Sequence, residues 1–236
     1  MKVKISGSEW KFVALISVVV VLATFLPVVY GYANESSGMK FMGLPTLVVD
    51  SNTYFDYMAQ ASHGAFLFVN SYDPESTEPF LISPVYWVMG LFSSMLPPLF
   101  VWHLFRAVLG LAFLLVSYYF ISMVVQNVFA RKLSFSFLAI SSGFGGFLVL
   151  ASMLTGKLFG STIDLRMQSA ITFLSLNGQP HTLFSLLMIV LTYIFFLKAF
   201  QKNSWRAYLF SGLTVFILGF THPFDLLAAR LALAAP

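Results

Sequence analysis

Stretches without Asp, Glu, Lys or Arg organise this chain. They cover 12–30, 79–102, 107–130, 133–156, most of 167–197, and 207–221. A helix needs about 20 apolar residues to cross a hydrocarbon core of about 30 Å, so these stretches predict membrane helices. The polar intervals between them have their own pattern. From Asn52 to His63, Tyr54, Tyr57, Met58 and Ala61 fall on one helical face, with Ser51 or Asn52 available as cap and Gly64 as the stop.

The stretch from Phe80 to Leu96 decides the topology, because whether it crosses sets the side of everything after it. If it crosses, seven basic residues lie inside and six outside; if it rests on the outer surface, eight lie inside and five outside. The second arrangement follows the positive-inside bias and leaves Glu9 as the sole acid inside. Pro84, Tyr86, Trp87 and Pro97-Pro98 also suit a segment lying at the headgroup level. The expected architecture is therefore all-α and polytopic. Its five spans run over 12–31, 101–127, 134–154, 181–198 and 207–222, within a single transmembrane domain covering 1–236. Outer loops run over 32–100 and 155–180, the first holding the interfacial helices, and the N-terminus is cytoplasmic. The first span is read as an uncleaved anchor, since its apolar run exceeds the roughly 7–15 residues of a signal-peptide core.

Composition agrees. Apolar residues make up 58% and charged residues 9% of the 236-residue chain, against about 45–50% and about 25% in soluble domains. The absence of cysteine excludes disulfides, thiolate metal sites and thiol catalysis, leaving His, Asp and Glu as metal ligands. The net charge of +4 comes from basic residues scattered singly or in pairs, which form no stripe for a nucleic acid. The bilayer is the expected partner, and the cell membrane the expected location.

In this topology Asp50, Asp56, Glu78, Asp164, Arg166, His181, His222 and Asp225 all fall at or near the outer surface. Ionisable groups at the ends of apolar spans are costly unless paired or wetted, so such a gathering suggests a site; loops also need charges simply to stay in water. Asp50 is delivered to the start of the 52–63 helix, where a carboxylate serves equally as a structural cap or as a base. His181 and His222 sit beside Pro180 and Pro223 at outer span ends. Glycine-rich phosphate loops, a nucleophile elbow and a His-Glu-x-x-His helix are absent from the sequence.

The succession Asp50-Ser-Asn-Thr-Tyr54, Ala59 to Gly64, Glu78-Pro79, Pro84-Val-Tyr86-Trp87 and Arg106-Ala-Val-Leu-Gly110 resembles the GT-C-fold glycosyltransferases that use polyprenyl-phosphate sugars. The nearest patterns are the aminoarabinose transferases and protein O-mannosyltransferases. The resemblance implies that Asp50 is the essential first-loop acid, that Glu78 and Asp164 match two further acids, and that Tyr54 and Arg106 belong to the substrate-binding surface. It implies transfer of a sugar from a polyprenyl-phosphate carrier to an acceptor on the outer face. That chemistry needs a base for the acceptor hydroxyl and positive charge for the departing phosphate. Arg166, His181 and His222 are candidates for the charge, and Glu78 with His181 for a divalent metal ion. Ser51 stands where family members often place a second acid. Such enzymes usually carry more spans, so an N-terminal fragment is the expectation. A transporter or lipid-handling protein, using the same acids and histidines for a solute or protons, and a noncatalytic membrane subunit are the alternatives.

Overall fold

The computed structural model describes residues 4–73, 75, 78–81, 83–141, 145–157 and 171–226. It is all-helical: among the described residues the β contacts reduce to an isolated antiparallel bridge between Phe68 and Phe80. Ten helices follow one another among those residues: α1 Gly7–Ala23, α2 Leu26–Ala33, α3 Val48–Ser62, α4 Pro84–Ser93, α5 Pro98–Val124, α6 Val128–Ile140, α7 Gly145–Thr155, α8 Thr172–Asn177, α9 Pro180–Lys202 and α10 Trp205–Thr221.

Among the described residues three apolar helices are long enough to cross a membrane: α1 with α2 (Gly7–Ala33), α5 and α9. At 1.5 Å per residue α5 is about 40 Å long and α9 about 35 Å. Their outer faces carry exposed Leu15, Val19, Leu22 and Val108, with Phe137 on α6 and Phe216 on α10. In water so many exposed large apolar groups would drive aggregation; against lipid tails they are solvated. The chain is a membrane protein. Pro27, which has no amide hydrogen to donate, sits at the α1/α2 junction and breaks the 27-residue helix near Thr24.

Between the two ends of the bundle α5 runs antiparallel to α1 and parallel to α9, and α9 runs antiparallel to α10. At one end a capping box starts α1, the Ser6 side chain accepting from the Glu9 amide at 3.2 Å while Glu9 accepts from the Ser6 amide at 2.9 Å. Glu9 Oε1 also accepts from Tyr118 Oη on α5 at 2.7 Å and from Arg131 Nη1 on α6 at 3.3 Å. The end of α5, the start of α6 and the start of α1 therefore meet. Lys198 on α9 reaches the same end, over the Tyr119 ring at 4.8 Å. Between the ends, Val13, Val20, Val21, Phe113, Leu114, Leu183, Leu187 and Leu218 form a continuous core. Thr192 and Thr214 share a 2.8 Å hydrogen bond across α9 and α10, and Ser211 donates to Thr192 O at 3.2 Å; such hydroxyl contacts hold helices together where lipid is as apolar as the core.

At the opposite end α3 and α4 pack together as a cap with its own core of Tyr57, Met58, Ala61, Phe68, Tyr86, Met89, Val101 and Trp102. The two helices touch so closely at Gly90 that an added Cβ would collide with Ala61 Cβ and lie 2.7 Å from the Met58 carbonyl. α4 spans about 15 Å, half of what crossing requires. The helical pattern over 52–63 predicts Asp50 at the entrance to that helix. The structure instead starts α3 at Val48, four residues earlier, with Leu47 in the left-handed region at φ 49° as its N-cap, so Asp50 belongs to the first turn. The predicted C-terminal stop is observed, with Gly64 at φ +94°.

The expected span over 134–154 is two helices, α6 and α7, on either side of Ser141; the expected spans over 12–31, 101–127, 181–198 and 207–222 correspond to α1 with α2, α5, α9 and α10. At 17 residues α10 is apolar but shorter than the three spanning helices.

Candidate functional site

The capped end gathers residues from α3, α4, α5, α9 and the turn after α10. Tyr54 lies one helical turn beyond Asp50, on the same face. Burial first, and then the Asp50 charge, push the Tyr54 hydroxyl above its ordinary pKa. The Tyr54 ring stacks on Tyr86 at 4.5 Å with the planes 14° apart and lies 4.8 Å from the His181 ring. Tyr86 Oη and His181 Nδ1 share a 2.6 Å hydrogen bond between α4 and the first turn of α9. Trp102, buried on α5, backs this cluster with its ring 6.0 Å from Tyr86. The aromatic content of α3 and α4 thus builds the wall against which the buried His181 is held.

His222 follows α10 and places its ring 5.8 Å from His181. Its Nδ1 lies 3.0 Å from Asp225 Oδ2. Contact with this carboxylate raises the His222 pKa and outweighs the opposing effect of burial. Asp50, Tyr54, Tyr86, His181, His222 and Asp225 consequently form one chain of neighbours from an exposed acid, through a buried aromatic and imidazole cluster, to a second acid.

Arg106 lies apart from that chain, one turn deeper on α5 than Trp102 and 2% exposed. Its Nη1 donates to Asn177 Oδ1 at 2.7 Å, to Asn177 O at 3.3 Å and to Thr24 O at 3.4 Å, and the guanidinium lies 4.4 Å over the Phe25 ring. These contacts tie α5 to α8 and to the α1/α2 break. They make Arg106 an interior group rather than part of an open binding surface.

Glu78 is exposed, two residues before the Phe68–Phe80 bridge. His181 Nδ1 is taken by Tyr86 rather than by Glu78. Among the described residues no three His, Asp or Glu groups stand close enough to hold a metal ion. Asp164 and Arg166 lie outside the described residues. Tyr86 reads from the sequence as an interfacial aromatic and Asp225 as one of the outer charges, whereas nothing in the sequence singles out Trp102. The His222-Pro-Phe-Asp225 spacing is the legible signal for Asp225, because residues three apart meet across a turn.

An all-helical membrane protein with a capped aromatic and imidazole site is the class that the fold and site define. No family model, curated protein or solved structure matches the chain.

Proposed function

We propose that this chain is a multi-pass GT-C-type glycosyltransferase of the cell membrane. It moves a sugar from a polyprenyl-phosphate carrier to an acceptor at the face opposite the basic end. The observation that carries this reading is the convergence of Asp50, Tyr54, His181 and His222 at the end of the bundle remote from Lys198 and Arg131. The positive-inside bias makes the basic end cytoplasmic and the site external. Five spans follow, with α6 and α7 jointly making the third, and α3 and α4 lying along the outer leaflet.

In the reaction the acceptor hydroxyl oxygen attacks the anomeric carbon, the bond from that carbon to the phosphate oxygen breaks, and polyprenyl phosphate departs. Asp50, exposed in the first turn of α3, takes the hydroxyl proton. His222, kept protonated to higher pH by Asp225, faces the leaving phosphate with positive charge. Tyr54 and the buried His181 shape the pocket for the sugar.

Asp50→Asn removes the base and keeps the size, so membrane insertion is retained and transfer from a polyprenyl-phosphate sugar is lost. Unchanged turnover would eliminate Asp50 from the mechanism. Sidedness has its own measurement, because the chain has no cysteine. A label that cannot cross the membrane reacts from outside with Ser36→Cys and not with Lys202→Cys; the reverse pattern would reject the topology.

The link from buried His181 to His222 and Asp225 favours a second reading, a proton-coupled transporter. It predicts pH-driven solute uptake by vesicles containing the protein and no lipid-sugar turnover.

A further inference from the structure

Arg106 has more donors than partners. Among the described residues, Nη1 alone of its guanidinium nitrogens is engaged, and its acceptors are neutral: an amide oxygen and two backbone carbonyls. Nε and Nη2 are buried without a partner. Gln179, in the turn before α9 and 7% exposed, likewise buries its Nε2 amide without a partner. Both residues line one small cavity of about 10 Å³, with Thr46, Ser51, Trp102 and Asn177 completing much of its wall. Such a volume admits about one water-sized occupant.

The physical imbalance is specific. A buried charge costs several kcal/mol unless it is paired, and each unpartnered buried donor adds to that cost. Among the described residues the cavity wall contains no carboxylate to supply the pairing. The Ser51 hydroxyl, 1% exposed, is already committed to Leu47 O at 2.8 Å. A water molecule would accept from these donors and leave the charge uncompensated. A monatomic anion would answer both deficits, with the side chains of the wall giving way slightly because a halide is larger than water.

We propose that the Arg106–Gln179 cavity is a binding site for a single halide-sized anion, chloride under ordinary conditions, which locks α5, α8 and the start of α9 together. This site is separate from the surface assigned to sugar transfer and does not depend on that assignment. The anion accepts from Arg106 Nε and Nη2 and from Gln179 Nε2, balances the guanidinium charge, and holds the segment that presents His181.

The test is thermal unfolding of the full chain in detergent at constant ionic strength, exchanging gluconate for chloride or bromide. At a halide concentration tenfold above Kd the Tm of the wild type rises by about 3–6 °C. Arg106→Gln loses that response. Gln179→Glu places a carboxylate in the cavity, so it folds without halide and shows no halide dependence; it supplies the control should Arg106→Gln fail to fold. Bromide-soaked crystals show an anomalous peak between Arg106 and Gln179. Equal wild-type Tm in gluconate and chloride would mean that water alone fills the cavity, and would overturn the proposal. So would stabilisation by inorganic phosphate with halides inert, which would return Arg106 to the binding of a larger substrate anion.

Discussion

The two ends of the bundle handle their buried charges in opposite ways. At the basic end Glu9 and Arg131 are both buried and paired, and Tyr118 and Ser6 occupy further lone pairs of the carboxylate. At the capped end Arg106 and Gln179 keep unpartnered donors, and the His222–Asp225 pair is about 30% exposed. A polar network whose groups satisfy one another resists change and fixes geometry; groups left unsatisfied are available to a ligand. The first end is a lock between α1, α5 and α6. The second has the character of a site.

That contrast can be broken by substitution. Removing one member of the lock has the largest effect: Glu9→Ala strands a buried guanidinium and costs about 3–5 kcal/mol of stability, read as a fall in Tm, whereas a Glu9→Leu/Arg131→Met double variant recovers most of it. If the single variant costs nothing, the basic end is not a lock. At the cap, Gly90→Ala drives a methyl group into Ala61 and the Met58 carbonyl, with an overpacking cost of about 1–3 kcal/mol seen as a lower Tm. Tyr86→Phe keeps the ring stack and leaves His181 Nδ1 buried without its partner. We expect a loss of about 1–3 kcal/mol, accompanied by a change in accessibility of His181 to imidazole-modifying reagents.

The smallest effect is the pH dependence of the His222–Asp225 contact. Its folded pKa lies above the ordinary 6.5, so protonated His222 stabilises the folded state. This contribution is fully present below pH 6.5 and is lost as pH rises through the elevated folded value. His222→Gln should flatten that part of the stability–pH curve. A slope unchanged by the variant would assign it to another group.

Much of the plan was legible along the chain. The charge-free runs anticipated α1 with α2, α5, α9 and α10 because the bilayer imposes both length and apolarity on a spanning helix. Gly64 marked the end of α3, and the prolines beside His181 and His222 marked both as helix-end residues, whose rings the structure sets 5.8 Å apart. The start of α3 was misplaced because cap preferences favour Ser51 or Asn52, whereas Leu47 is held in a left-handed conformation and opens the helix earlier. Arg106 was legible as a charge at a span terminus. Its burial away from the His181 cluster was not, because that depends on the rotation of α5 against α8 and the α1/α2 break.

Sequence alone determined which segments are apolar enough to leave water and which polar residues are carried to each end, since hydropathy and chain length are local properties. Tertiary structure decided which of those polar residues are neighbours. Glu9 meets Arg131 across 122 positions and Tyr86 meets His181 across 95. Such pairings depend on how the helices rotate and cross when their side chains interlock, a choice made by packing the whole bundle and not by any one segment.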